Sequence, residues 1–105
     1  MEFILKRIKR LIIQQQYLFT EKAVTERLAD GLTEEDVLEA ILNASFVRSK
    51  RSRSLSRQTK QEQVYIIESF TYDGVLVYTK GVIRQQQAQE TFYILISAKR
   101  STWQS

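Results

Sequence analysis

Gln63-Val64-Tyr65-Ile66-Ile67-Glu68-Ser69-Phe70-Thr71-Tyr72, then Asp73-Gly74, then Val75-Leu76-Val77-Tyr78-Thr79-Lys80-Gly81-Val82-Ile83 is the passage that decides the fold. Both flanking runs are rich in β-branched and aromatic residues, and Asp-Gly tolerates the positive φ that a tight hairpin demands. A two-residue turn at Asp73-Gly74 pairs Tyr72 with Val75, Phe70 with Val77 and Ser69 with Tyr78. A third strand is expected over Thr91 to Arg100. Side chains alternate between faces along a strand. Val64, Ile66, Glu68, Phe70, Tyr72, Val75, Val77, Thr79 and Ile83 are then expected on one mostly apolar face, with Phe92, Ile94, Ile96 and Ala98 as the apolar set of the third strand. The opposite face would carry Tyr65, Ile67, Ser69, Thr71, Leu76, Tyr78, Lys80 and Val82, joined by Tyr93, Ser97 and Lys99.

Upstream of the hairpin the period changes from two to that of a helix. Met1 to Gln16 places Ile4, Ile8, Leu11 and Ile12 on one stripe and Lys6, Arg7, Lys9 and Arg10 mainly elsewhere. That basic side is either a solvated face or a grip for RNA or an acidic partner. Tyr17-Leu18-Phe19 reads as a short extended link. Thr20 caps a second helix from Glu21 to about Asp30, which Gly31 ends in the C′ position. Thr33-Glu34-Glu35-Asp36 opens a third helix that buries Val37, Leu38, Ile41 and Leu42 and ends near Asn43. Glu34, Glu35, Asp36 and Glu39 would repel phosphate, which argues against a DNA-reading helix-turn-helix. Ser45-Phe46-Val47 begins a strand, and Arg48 to Lys60 reads as a mobile basic loop with serines among its cations. Gln85 to Gln89 forms a connection, and Trp103 lies in a polar tail. The expected class is α+β: N-terminal helices packed on one face of a small antiparallel sheet, in one domain spanning residues 1–105.

The composition removes several chemistries. The 105 residues contain no cysteine, no histidine and no proline. Disulfides, thiolate ligands, a cysteine nucleophile, Ser-His-Asp schemes and histidine acid-base chemistry are therefore excluded. No metal and no cofactor is expected. No apolar run is long enough to span a membrane, no signal peptide is read at the start, and a cytoplasmic location is the expectation. The net charge is +4. Its distribution is uneven, because Arg48, Lys50, Arg51, Arg53, Arg57 and Lys60 cluster in a stretch without a single acid. Such a cluster suits a polyanion, whose phosphates release counterions when arginine and lysine neutralise them.

Tyr65, Tyr78, Tyr93, Lys80 and Lys99 are thus expected on one open face, bordered by Arg100 and the basic loop. RNA carries its own nucleophile, the 2′-hydroxyl. A protein that cuts it needs a base for that hydroxyl, positive charge for the phosphoryl group, and an acid for the leaving 5′-oxygen. Lysine serves as base when burial or neighbouring cations lower its pKa, arginine stabilises charge, and tyrosine donates a proton or stacks on a base. The same residues also fit ordinary strand tyrosines and solubilising lysines.

The chain resembles small bacterial proteins of unassigned function grouped with the RelE/MqsR/BrnT-like toxins. The resemblance covers most of the chain. It rests on Tyr17-Leu18-Phe19-Thr20-Glu21-Lys22-Ala23 through Arg27, Gly31-Leu32-Thr33-Glu34-Glu35-Asp36-Val37-Leu38-Glu39-Ala40-Ile41-Leu42-Asn43, Asp73-Gly74-Val75-Leu76-Val77 and Phe92-Tyr93-Ile94-Leu95-Ile96-Ser97-Ala98. Lys22 stands where the family usually has a histidine. The resemblance implies a RelE-like fold and an mRNA-cleaving toxin of a type II toxin-antitoxin pair, blocked by a cognate antitoxin. It implies Lys60, Tyr65, Tyr78, Lys80, Lys99 and Arg100 as catalytic candidates. Lys80 or Lys60 would act as base or charge stabiliser, and Tyr78 or Tyr65 as acid or stacking platform. Arg100 with Arg48, Lys50, Arg51, Arg53 and Arg57 would grip phosphate, with Lys22 and Arg27 also facing RNA. A homodimer is compatible with this reading. The alternative is a non-enzymatic RNA-binding or partner-binding module of the same fold.

Overall fold

The computed structural model describes residues 2–51, 62–85 and 90–102. Three helices, α1 (Glu2–Ile13), α2 (Glu21–Ala29) and α3 (Glu34–Leu42), accompany five strands. The strands are β1 (Tyr17–Phe19), β2 (Arg48–Arg51), β3 (Gln63–Phe70), β4 (Leu76–Gln85) and β5 (Thr91–Arg100). They form one sheet in the order β1-β5-β4-β3-β2. The class is α+β, but the sheet is mixed and not purely antiparallel, since β1 runs parallel to β5 with Tyr17 opposite Tyr93. The expected link at Tyr17-Leu18-Phe19 is therefore an edge strand. Likewise Arg48–Arg51, expected to be loop, is a strand antiparallel to β3. Among the described residues, no helix is long and apolar enough to cross a membrane.

The helix boundaries follow their caps. Thr20 Oγ1 accepts the Ala23 amide at the start of α2, and Thr33 and Asp36 form a reciprocal capping box at the start of α3. Gly31 takes φ +71°, the left-handed conformation that ends α2. Leu5, Ile8, Leu11 and Ile12 of α1 and Val37, Ala40 and Ile41 of α3 are buried against the sheet with Ile67, Val77, Tyr93, Leu95 and Ala98. Lys9 Nζ donates to the Ala44 carbonyl just beyond α3, and the Tyr17 hydroxyl donates to Glu34 at its start. That hydrogen bond, partial burial and the carboxylates of Glu34 and Glu35 raise the Tyr17 pKa to about 12.

The hairpin register differs by one residue from the expected one. Phe70 pairs with Leu76, Ser69 with Val77 and Glu68 with Tyr78. The Thr71 amide donates to the Val75 carbonyl and the Gly74 amide to the Thr71 carbonyl, enclosing Tyr72, Asp73 and Gly74 in a three-residue loop. Gly74, at φ +84°, occupies the left-handed position that such a loop needs after its type I turn. Thr71 Oγ1 also accepts the Val75 amide, so the threonine closes the loop from both sides. A slip of one residue exchanges the faces of one strand relative to its partner. The expected faces of β4 hold, with Val77 and Thr79 buried. Those of β3 are reversed, with Ile67 and Ser69 towards the helices and Ile66, Glu68 and Phe70 on the other side.

A second irregularity lies in β5. Lys80 pairs with Ser97 but Gly81 pairs with Leu95, so Ile96 is an extra residue in the ladder. This bulge shifts the alternation along β5. Ala98 faces the helices as expected, while Tyr93 and Leu95 face them contrary to expectation, and Phe92 and Ile94 are outside. Tyr93 is fully buried, and its ring lies over Gly81. A Cβ on Gly81 would stand 2.5 Å from Tyr93 Cζ and 2.9 Å from the Ile94 carbonyl.

The far edge of β5, beyond β1, is covered by α2. Glu26 Oε1 accepts the Ala98 amide and the Ser97 hydroxyl, and Asp30 Oδ2 accepts the Arg100 amide. Carboxylates four apart on a helix lie on one side. They meet amides two apart on a strand, which point to the same edge. An otherwise open strand edge is thereby satisfied.

Two outcomes test this packing. Gly81→Ala should lower stability by about 1–3 kcal/mol, read from urea midpoints, because the Tyr93 ring has no space into which to retreat. Burial alone would raise the Glu26 pKa, but hydrogen bonds from Ser97, Ala98 and Lys22 hold it below its ordinary 4.5. Its stabilising contribution is present above that value and fades as pH falls through the lower folded-state pKa. The loss of stability on acidification below about pH 4.5 should therefore be shallower in Glu26→Gln than in the parent.

Candidate functional site

The face away from the three helices has two parts. One is apolar: Val64, Val82 and Ile94 are buried there, with Phe92 and Ile96 packed against them. The other is polar and is assembled from four strands. Arg48 of β2 stands opposite Ile66, Glu68 of β3 opposite Tyr78, and Tyr78 of β4 opposite Lys99 of β5. Lys80 lies two residues along from Tyr78 on the same face, and Lys50 two residues from Arg48. Lys22 reaches the same region from α2, held by Glu26 at 3.3 Å.

Charge on this face is predominantly positive. Arg48, Lys50, Lys80, Lys99 and Lys22 face two acids, Glu68 and Glu26. Glu68 binds the Arg48 guanidinium at 2.9 Å and accepts the Ser101 hydroxyl at 2.8 Å. Lys99 Nζ stands 5.6 Å from the centre of the Tyr78 ring, a cation-π contact that orients both side chains. A groove of about 410 Å³ runs beside them, lined by Glu68, Tyr78, Lys99, Arg100, Ser101 and Thr102.

Two pKa shifts give this face a chemical character. Partial burial depresses Lys80 below the ordinary 10.5, and Lys22, Lys50 and Lys99 depress it further against the opposing pull of Glu26. Partial burial raises Tyr78 above 10.0; Arg48 opposes that shift, while Glu68 and Glu26 add to it. A lysine that loses its proton more readily thus stands beside a tyrosine that keeps its own. The pair can offer a base and an acid on one surface, with Lys99 at the Tyr78 ring and Lys22 and Lys50 near Lys80 supplying positive charge. Among the described residues no three acidic side chains gather in the way a metal ion would require.

The expected site residues separate into groups. Tyr78, Lys80, Lys99, Arg48 and Lys50 share the open face. Tyr65 does not: it lies on the helix side with Arg7, Ile83 and Gln85, a correction that follows from the one-residue register. Tyr93 is likewise corrected from open face to core by the bulge in β5. Arg51 pairs with Gln63 on the helix-side alternation of β2. Arg100 pairs with Val77, and its Nε donates to the Asp30 carbonyl, tying its side chain to α2. Arg27 stacks over Phe19 at 5.3 Å and donates to the Leu32 carbonyl, so its guanidinium braces the α2–α3 turn. Lys60, Arg53, Arg57 and Trp103 lie outside the described residues.

Glu26 and Glu68 had no place in the expected site. The carboxylate pair Glu26 and Asp30 at helical spacing was a legible signal for a helix side facing unpaired amides. Glu68 carried no sequence signal beyond being an acid in an apolar run. No protein family, characterised protein or solved structure matches the chain.

If Lys22 helps depress Lys80, Lys22→Gln should move the Lys80 pKa back towards 10.5, measured by NMR of the lysine Cε resonances. An unchanged Lys80 titration would show that Lys22 contributes nothing and that burial with Lys50 and Lys99 accounts for the shift.

Proposed function

We propose that this chain is an endoribonuclease that cleaves mRNA through the RNA 2′-hydroxyl without a metal, acting as the toxin of a type II toxin-antitoxin pair. The observation that carries the reading is Lys80, a partly buried lysine among three others, beside a protonated tyrosine on an open sheet face. Lys80 takes the proton of the 2′-hydroxyl as it attacks phosphorus. Lys99, Lys22 and Lys50 offset the charge that develops on the phosphoryl oxygens, and Tyr78 protonates the departing 5′-oxygen. The products are a 2′,3′-cyclic phosphate and a free 5′-hydroxyl, so atoms and protons balance.

Helices on one side of the sheet and a basic surface on the other support a RelE-like assignment. A cognate antitoxin would silence the enzyme by covering that surface. The second reading is an RNA-binding module without chemistry. It is favoured by the Arg48–Glu68 ion pair, which neutralises an arginine on the Tyr78 face.

Lys80→Arg separates the two, because arginine keeps the charge but cannot serve as base. The enzyme reading expects cleavage to fall by about 10²-fold or more while RNA affinity is retained. Cleavage by the parent should survive chelators, fail on a substrate with 2′-deoxyribose at the scissile position, and rise with pH to a plateau below 10.5 as neutral Lys80 accumulates. Equal activity in Lys80→Arg and the parent would remove Lys80 from the mechanism.

A further inference from the structure

The outward side of α1 is not used by the site described above. Leu5, Ile8, Leu11 and Ile12 turn one side of this helix into the core. Phe3, Lys6, Arg7, Arg10 and Ile13 follow one another on the other side at helical spacing. Phe3 is 80% exposed and Ile13 71% exposed, and both are large apolar side chains in water. Phe3, Lys6, Arg7 and Arg10 line a common depression. The guanidinium groups of Arg7 and Arg10 have no ion pair or hydrogen bond among the described residues.

We infer that this stripe of α1 is a docking surface for a partner protein that presents an acidic amphipathic helix. Phe3 and Ile13 bracket the guanidinium groups of Arg7 and Arg10, and the span from Phe3 to Ile13 is about 15 Å at the helical rise. A partner helix with apolar residues the same distance apart and glutamates or aspartates between them complements both features. Its carboxylates would meet Arg7 and Arg10 as charge-assisted hydrogen bonds, and its apolar ends would cover Phe3 and Ile13. A bilayer fits less well, because the apolar stripe that α1 would insert is already buried in the core. RNA would use the cations but gives exposed Ile13 no role. The stripe lies on the helix side of the sheet, so its occupant and a ligand of the Lys80 face bind without competing.

The test uses the full chain and a labelled synthetic helix of about 15 residues, with leucines ten positions apart and glutamates between them. Fluorescence anisotropy at low salt should show saturable binding, unaffected by Lys80→Ala. Arg7→Glu with Arg10→Glu should weaken it at least about tenfold, and Phe3→Ala or Ile13→Ser several-fold, with circular dichroism confirming that each variant is folded. A control peptide with glutamine for glutamate should bind at least about tenfold more weakly. Equal binding of the two peptides would overturn the inference, as would full binding by the Arg7→Glu/Arg10→Glu variant. Tighter binding of phosphatidylserine vesicles or of single-stranded RNA to this same stripe would also overturn it.

Discussion

The hydrogen bond from the Thr71 amide to the Val75 carbonyl sets which side chains of β3 share the open face with those of β4. It closes a loop of three residues, and the left-handed Gly74 makes that closure sterically free. Even-numbered residues of β3 then lie opposite even-numbered residues of β4. Glu68 comes to stand against Tyr78, and Ile66 against Lys80. A two-residue loop would place Ile67 and Ser69 beside Tyr78 and Lys80 and would turn Tyr65 to the open side. The chemistry of the open face is thus decided by a turn that contributes no side chain to it.

The elements themselves were legible because each carries local chemistry. Thr20 and Thr33 announce two helix starts, Gly31 a helix end, and the alternating runs around Asp73-Gly74 a hairpin. What escaped were features that depend on tertiary pairing. Asp-Gly serves a two-residue or a three-residue loop equally well, and only the Thr71 side chain, which accepts the Val75 amide, favours the longer one. The bulge at Ile96 leaves no local mark, since Ile-Ser-Ala reads as strand in either register. Tyr17-Leu18-Phe19 is too short to show a period and becomes a strand only because β5 offers it an edge. Within the site, Tyr78, Lys80 and Lys99 were legible because β4 and the end of β5 kept their expected faces. Tyr65 and Tyr93 were misplaced for the two reasons just given.

Helix α2 links the fold to the electrostatics of the open face. Its Glu26 closes the edge of β5 through Ala98 and Ser97 and at the same time restrains Lys22 near Lys80. One carboxylate therefore stabilises the sheet edge and moderates the repulsion among the lysines. Without it, Lys22, Lys50 and Lys99 would depress Lys80 unopposed. The arrangement gathers Lys22, Lys50 and Lys99 around a partly buried Lys80, and burial and like charge together hold its pKa below the ordinary 10.5.

The most direct test of the account is an NMR titration of the chain with single-stranded RNA carrying a 2′-deoxy block at the scissile position. The account predicts that the largest amide and lysine side-chain shifts fall on Arg48, Lys50, Tyr78, Lys80 and Lys99, and that Tyr65 and Tyr93 stay unmoved. Shifts concentrated instead around Tyr65, Arg7 and Ile83 on the helix side, with the Lys80 face silent, would contradict it.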